Sequence, residues 1–176
     1  MRIGLTGTMS VGKTTLAKAL GELDMFKNYP IQTERSKYLR DMGIALNTDS
    51  TLKGQLVFAA ERSIELMQEN IITDRTVYDV SAFTLSAKSI GWTEKRYFTE
   101  LLMQLRDEYD AIIYVSPEGV EIEDNGVRTV DAEYRNKIDT TISEMLNNFP
   151  PKKLITVKGS TEERINIIIS QLSQNN

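Results

Sequence analysis

Short apolar runs alternate along the chain with longer segments of helical period. Five runs read as strands, at 2–6, 30–33, 71–74, 110–116 and 153–158. Ala111-Ile112-Ile113-Tyr114-Val115 is apolar without alternation, and Leu154-Ile155-Thr156-Val157 is a shorter version of it. Both have the character of strands buried on two faces. Helical segments are expected at about 13–23, 35–42, 50–69, 76–88, 93–107, 132–147 and 161–173. In the fifth of these Phe98, Leu101, Leu102 and Leu105 share one face, and in the last Ile165, Ile168, Ile169 and Leu172 do so. Ser160 and Glu163 have the spacing of a capping box for that last helix. Strand and helix in alternation predict an α/β fold, a parallel sheet with helices on both faces. The least regular stretch is 116–131, where Pro117, Gly119 and Gly126 interrupt any element. It reads as a mobile loop and, with the helix start after it, as a candidate lid over 117–135.

Length and composition narrow the picture further. A chain of 176 residues suits a single domain over 1–176. With 40% hydrophobic and 26% charged residues and a net charge of −4, it is not built to wrap nucleic acid, although a local basic site stays open. There is no cysteine and no histidine, which excludes disulfides, Cys-based zinc sites and His-based catalysis. A general base must then be a carboxylate, a lysine or a tyrosine. The chain enters its first strand without a charged leader and apolar signal region, and no apolar run is long enough to span a bilayer. A cytoplasmic location with no membrane partner is expected.

The first strand runs directly into GTMSVGKT, residues 7–14, which satisfies G-x-x-x-x-G-K-[ST] at each constrained position. Between a strand and a helix, the backbone N–H groups of such a loop can point into one concavity, where the helix dipole also favours an anion. Gly7 and Gly12 permit close approach. Thr8, Ser10, Val11, Lys13, Thr14 and Thr15 complete the candidate polyphosphate cradle, with Lys13 reaching the β- and γ-phosphates and the Thr14 hydroxyl ligating Mg²⁺.

Two further strands end in an acid followed by arginine, Glu34-Arg35 and Asp74-Arg75. In a parallel sheet both pairs emerge at the carboxyl edge beside the phosphate loop. Asp74 can serve Mg²⁺, Arg75 can neutralise phosphoryl oxygens, and Glu34 can accept a proton from an attacking hydroxyl. Arg128 and Arg135 are seven apart, so on one helix they would share a face and could close over the transferred phosphate. Two other motifs fail. Asn136-Lys137-Ile138-Asp139 matches a guanine-recognition signature but falls within a helical segment, and the acidic run from Glu121 has Ala132 where a calcium loop needs glutamate.

Taken together, GTMSVGKT, the 33–40 segment TERSKYLR, Ile72-Thr73-Asp74-Arg75-Thr76 and Asp124-Asn125-Gly126-Val127-Arg128 resemble the P-loop nucleoside and nucleotide kinases. The similarity is to small phage and bacterial kinases of the nicotinamide-riboside-kinase-like group, with a D-R pair like that of thymidylate kinases. The resemblance implies a three-layer fold with a five-stranded parallel sheet in the order 2-3-1-4-5, ATP as donor and Mg²⁺ as cofactor. It implies that Lys13, Glu34, Asp74, Arg75 and Arg128 carry the chemistry, with Arg35 or Arg40 in support. It also implies that Arg128 and Arg135 meet the donor phosphates, and that Gly159 and Ser160 pack against its adenine. The acceptor expected is a nucleotide, in particular a (deoxy)nucleoside monophosphate. A free nucleoside or a hydroxymethylated base in phage DNA remains as an alternative, though net charge does not point to DNA. From a different class, an ATPase or nucleotide-gated binding module would need a water-positioning acid after Asp74, and none follows immediately. The oligomeric state is left open, a homodimer included.

Overall fold

The structure, a computed structural model, describes residues 1–33, 35–120 and 131–173. Its centre is a parallel sheet of β1 (Arg2–Thr6), β2 (Ile31–Gln32), β3 (Ile71–Asp74), β4 (Ala111–Val115) and β5 (Leu154–Val157). The strand order is β2-β3-β1-β4-β5, as expected. The register sets Leu5 beside Asp74 on one flank and beside Ile113 on the other. β2, an edge strand, is shorter than the 30–33 run and pairs with β3 through Ile31 and Gln32. Pro30 has no N–H to give, but its carbonyl accepts from Ile72 N at 3.0 Å and so starts the pairing.

Among the described residues seven α-helices surround the sheet: α1 (Lys13–Gly21), α2 (Ser36–Asp41), α3 (Leu52–Glu65), α4 (Val77–Ser86), α5 (Trp92–Met103), α6 (Ala132–Asn148) and α7 (Thr161–Ser173). Side chains alternate across the strands, so Ile113 enters one core with Leu16, Leu20 and Ile168, while Ile112 enters the other with Phe83, Phe98 and Ile138. α4 lies deepest, with Leu85 its one residue outside the buried set. Thr76 opens that helix with a capping box: its hydroxyl accepts from Tyr78 N, and Asp79 Oδ2 accepts from Thr76 N at 2.8 Å.

The expected face of the fifth helix needs one correction. α5 stops at Met103 and continues as a 3₁₀ turn over Gln104–Glu108, and Leu101 is 73% exposed. The buried stripe runs through Phe98, Leu102 and Met103, which leaves Leu101 on its far flank. The Ser160–Glu163 box is present, with Ser160 N donating to Glu163 Oε2 at 2.7 Å and Glu163 N to Ser160 Oγ at 3.2 Å.

Gly4, in the middle strand, is a position of close approach. A Cβ there would lie 2.5 Å from Thr76 Cγ2 and 2.8 Å from the ring of the buried Tyr109. Gly4→Ala is therefore expected to lower stability by about 1–3 kcal/mol through overpacking, read as a lower urea midpoint at unchanged slope. An unchanged midpoint would mean that Tyr109 does not bear on β1 in this way.

Candidate active site

β1 ends at Thr6 and α1 begins at Lys13, so the loop between them sits at the carboxyl edge of the central strand. Gly7 has φ +145°, and a Cβ there would be 2.6 Å from the Val115 carbonyl oxygen. Gly12, the N-cap of α1, has φ +83° and no side chain to satisfy the helix's first N–H groups. Ser10 also adopts a left-handed backbone, at φ 58°. The resulting concavity is lined by Met9 to Thr14 together with Asp74 and Arg75. A concavity at a helix N-terminus, lined by backbone, has the geometry that a backbone anion site requires.

Lys13 lies against the loop, its Nζ donating to Gly7 O at 2.6 Å and Thr8 O at 2.8 Å. Asp79 Oδ1 is 3.9 Å from the same ammonium, and both side chains are buried. The hydroxyl of Thr14 donates to Asp74 Oδ2. Asp74 is 2% exposed, and its Oδ1 has no hydrogen-bond partner among the described residues. Arg75 takes φ 114°, rare for a side-chain-bearing residue, and its guanidinium lies 4.9 Å from the centre of the Phe83 ring. Phe83 in turn packs against Tyr134 at 6.4 Å between ring centres. Burial pushes the pKa of the Tyr134 hydroxyl up, with the charge of Arg75 opposing the shift, so that hydroxyl keeps its proton.

Two buried arginines grip the loop from outside the concavity. Arg135 on α6 donates from Nε to Met9 O at 3.2 Å and from Nη1 to Val120 O at 2.8 Å, and its own carbonyl accepts from the Thr8 hydroxyl at 2.9 Å. Arg164 on α7 donates from Nη1 to Val11 O at 2.7 Å. Beyond β5, Gly159 at φ +85° and the capped start of α7 border an open cleft of about 630 Å³, lined by Glu118, Gly119, Lys158, Gly159, Glu163, Asn166 and Ile167. Lys158 and Glu118 face each other across it at 3.1 Å.

The fold thus brings Gly7, Thr8, Ser10, Val11, Gly12, Lys13, Thr14, Asp74, Arg75 and Arg135 to one sheet edge, with Gly159 on the neighbouring cleft and Ser160 beside it at the cap of α7. Thr15 lies exposed in the first turn of α1. Arg35 pairs with Glu61 at 3.3 Å and stacks on Tyr38, while Arg40 pairs with Asp41 at 2.8 Å. Glu34 and Arg128, and with Arg128 most of the candidate lid, lie outside the described residues. The Asn136-Lys137-Ile138-Asp139 match is helical as expected, with Ile138 in the core and Asp139 accepting from the Tyr114 hydroxyl at 2.8 Å.

Asp79 and Arg164 have no counterpart in the sequence reading. The Thr76-x-x-Asp79 spacing could have marked Asp79 as the third residue of a helix, but not as the partner of a lysine on another element. Arg164 is separated by 153 residues from the carbonyl it holds, and no local pattern announces the contact.

The Lys13–Asp79 contact makes Lys13 structural as well as chemical. Lys13→Ala leaves a buried carboxylate without its cation and is expected to cost about 3 kcal/mol, whereas adding Asp79→Asn to it should recover part of the loss. Denaturant unfolding of the two variants and wild type measures this. Equal stability of Lys13→Ala and wild type would break the pairing.

A family model described as an AAA domain matches residues 2–164. Deoxyadenosine kinase from M. mycoides with bound dCTP superimposes with a TM-score of 0.66 at 19% identity, covering 99% of this chain and 100% of that one. The same kinase with products dCMP and dCDP gives 0.64 at 18% identity, covering both chains in full (100% each). Thymidylate kinase from Ehrlichia chaffeensis gives 0.62 at 19% identity, over 100% of this chain and 98% of that one. At such identities the likeness is one of fold. Comparison with curated proteins by sequence gives no match.

Proposed function

The chain belongs to the AAA domain family, and we propose that it is an ATP-dependent kinase acting on a nucleoside or nucleotide, with a (deoxy)nucleoside monophosphate as the acceptor that suits the site best. The observation that carries this reading is the convergence of the phosphate loop, the Thr14–Asp74 contact and Arg75 at one sheet edge. The kinase names of the proteins that share the fold support it.

In the proposed reaction an acceptor oxygen attacks the γ-phosphorus in line, and the bond from that phosphorus to the β–γ bridging oxygen breaks. ADP leaves with the electron pair. Loop N–H groups and Lys13 hold the β- and γ-phosphates, and Arg75 meets the acceptor phosphate or the transferred group. A monophosphate attacks through an oxygen that is already anionic. A hydroxyl acceptor must shed its proton, and Glu34 is the carboxylate assigned to take it, with Arg128 assigned to the transferred phosphate. Mg²⁺ fits the residues present, since Thr14 Oγ1 and Asp74 are hard oxygen donors in contact and Asp74 Oδ1 is a buried acceptor lacking a partner among the described residues. When bound, it would neutralise charge on the phosphate oxygens. The strained backbone of Arg75 fits a position held for function rather than for packing.

Labelled ATP offered with nucleosides, deoxynucleoside monophosphates and hydroxymethylated DNA tests the reading. Label is expected on a monophosphate. Arg75→Ala should then raise the acceptor KM about tenfold to a hundredfold through loss of a charge-assisted contact, with Glu34→Gln mild. Label on a free nucleoside would reverse that ranking. Hydrolysis of ATP with every acceptor left unlabelled would replace the kinase by an ATPase.

A further inference from the structure

Arg164 is 5% exposed, yet no carboxylate pairs with it among the described residues, and its Nε has no hydrogen-bond partner there. Burial without an acid pulls its pKa down. Such a cation is costly to keep in a core. Its one hydrogen bond to the phosphate loop is from Nη1 to Val11 O, and a Cβ on Gly12 would come within 3.2 Å of that nitrogen. Arg164 does not line the concavity; it stands behind the loop.

The peptide between Val11 and Gly12 is trans, so its C=O and N–H point in opposite directions. Holding the carbonyl toward α7 turns the Gly12 N–H to the other side, where the concavity lies. We propose that Arg164 is a positioning residue for the donor polyphosphate, fixing the Val11–Gly12 peptide so that Gly12 N–H is presented to phosphate before the nucleotide arrives. The same helix turn carries Glu163, Asn166 and Ile167 into the neighbouring cleft. Through Arg164, α7 therefore sets the spacing between that cleft and the phosphate loop. The proposal rests on the loop's binding a polyphosphate and not on the identity of any acceptor.

Titration calorimetry with inorganic tripolyphosphate and with ADP, beside the melting temperature of the unliganded protein, tests it. Arg164→Met is expected to weaken both ligands by a similar factor, about tenfold, and Arg164→Lys to recover most of the loss because one carbonyl needs one donor. A lower melting temperature with both affinities within about twofold of wild type would make Arg164 merely structural and overturn the proposal. Weakening of ADP with tripolyphosphate unchanged would overturn it too, because the effect would then lie in the cleft. If Arg164→Met does not fold, Arg164→Ala, which likewise has no donor for the Val11 carbonyl, carries the same comparison against Arg164→Lys. Wild-type protein that binds neither ligand would remove the phosphate-loop reading itself, a failure distinct from that of Arg164.

Discussion

A loop that holds an anion with backbone N–H groups must send its carbonyls elsewhere, and buried carbonyls need donors. Here the carbonyls of Gly7, Thr8, Met9 and Val11 are all taken by cationic side chains: the first two by Lys13, the third by Arg135 and the fourth by Arg164. Those residues stand on α1, α6 and α7, which lie far apart in sequence. The sheet order supplies the geometry. β1 is central, so its carboxyl end faces helices from both layers, and a loop leaving it can be held from several sides at once.

The same site concentrates charge in little space. Lys13 and Asp79 face each other in the interior, and Thr14 and Asp74 touch beside them. Asp79 also closes the capping box of α4, so one carboxylate both starts a core helix and faces the loop lysine. This ties the resting position of Lys13 to the deepest helix in the fold. Arg75 leaves the neighbouring strand at a left-handed turn and lies over Phe83 of that helix. The positions assigned to phosphate are thus set by core packing rather than by surface loops.

Much of this was legible in the sequence. The five strands and seven helices of the described residues were foreseen within a few residues, because a two-sided buried strand and an amphipathic helix each leave a period in the chain. The loop was legible because its glycines, lysine and threonine are local and tightly spaced, and Asp74-Arg75 because a parallel sheet gathers its strand ends at one edge. Leu101 was misplaced because helical period gives an apolar stripe but not how much of it a neighbour covers. Arg135 was expected over the transferred phosphate, whereas its side chain donates to Met9 O and Val120 O. Asp79 and Arg164 escaped because their roles consist of contacts across distant elements, which no local spacing encodes.

In the proposed reaction the loop between β1 and α1 receives the polyphosphate of a nucleotide, with a metal at Thr14 and Asp74. A crystal structure with Mg²⁺ and a non-hydrolysable ATP analogue tests it most directly. Phosphates are expected against the N–H groups of residues 8–14, with the metal ion in place of the direct hydrogen bond from Thr14 to Asp74. An analogue bound elsewhere, with that hydrogen bond intact, would contradict it.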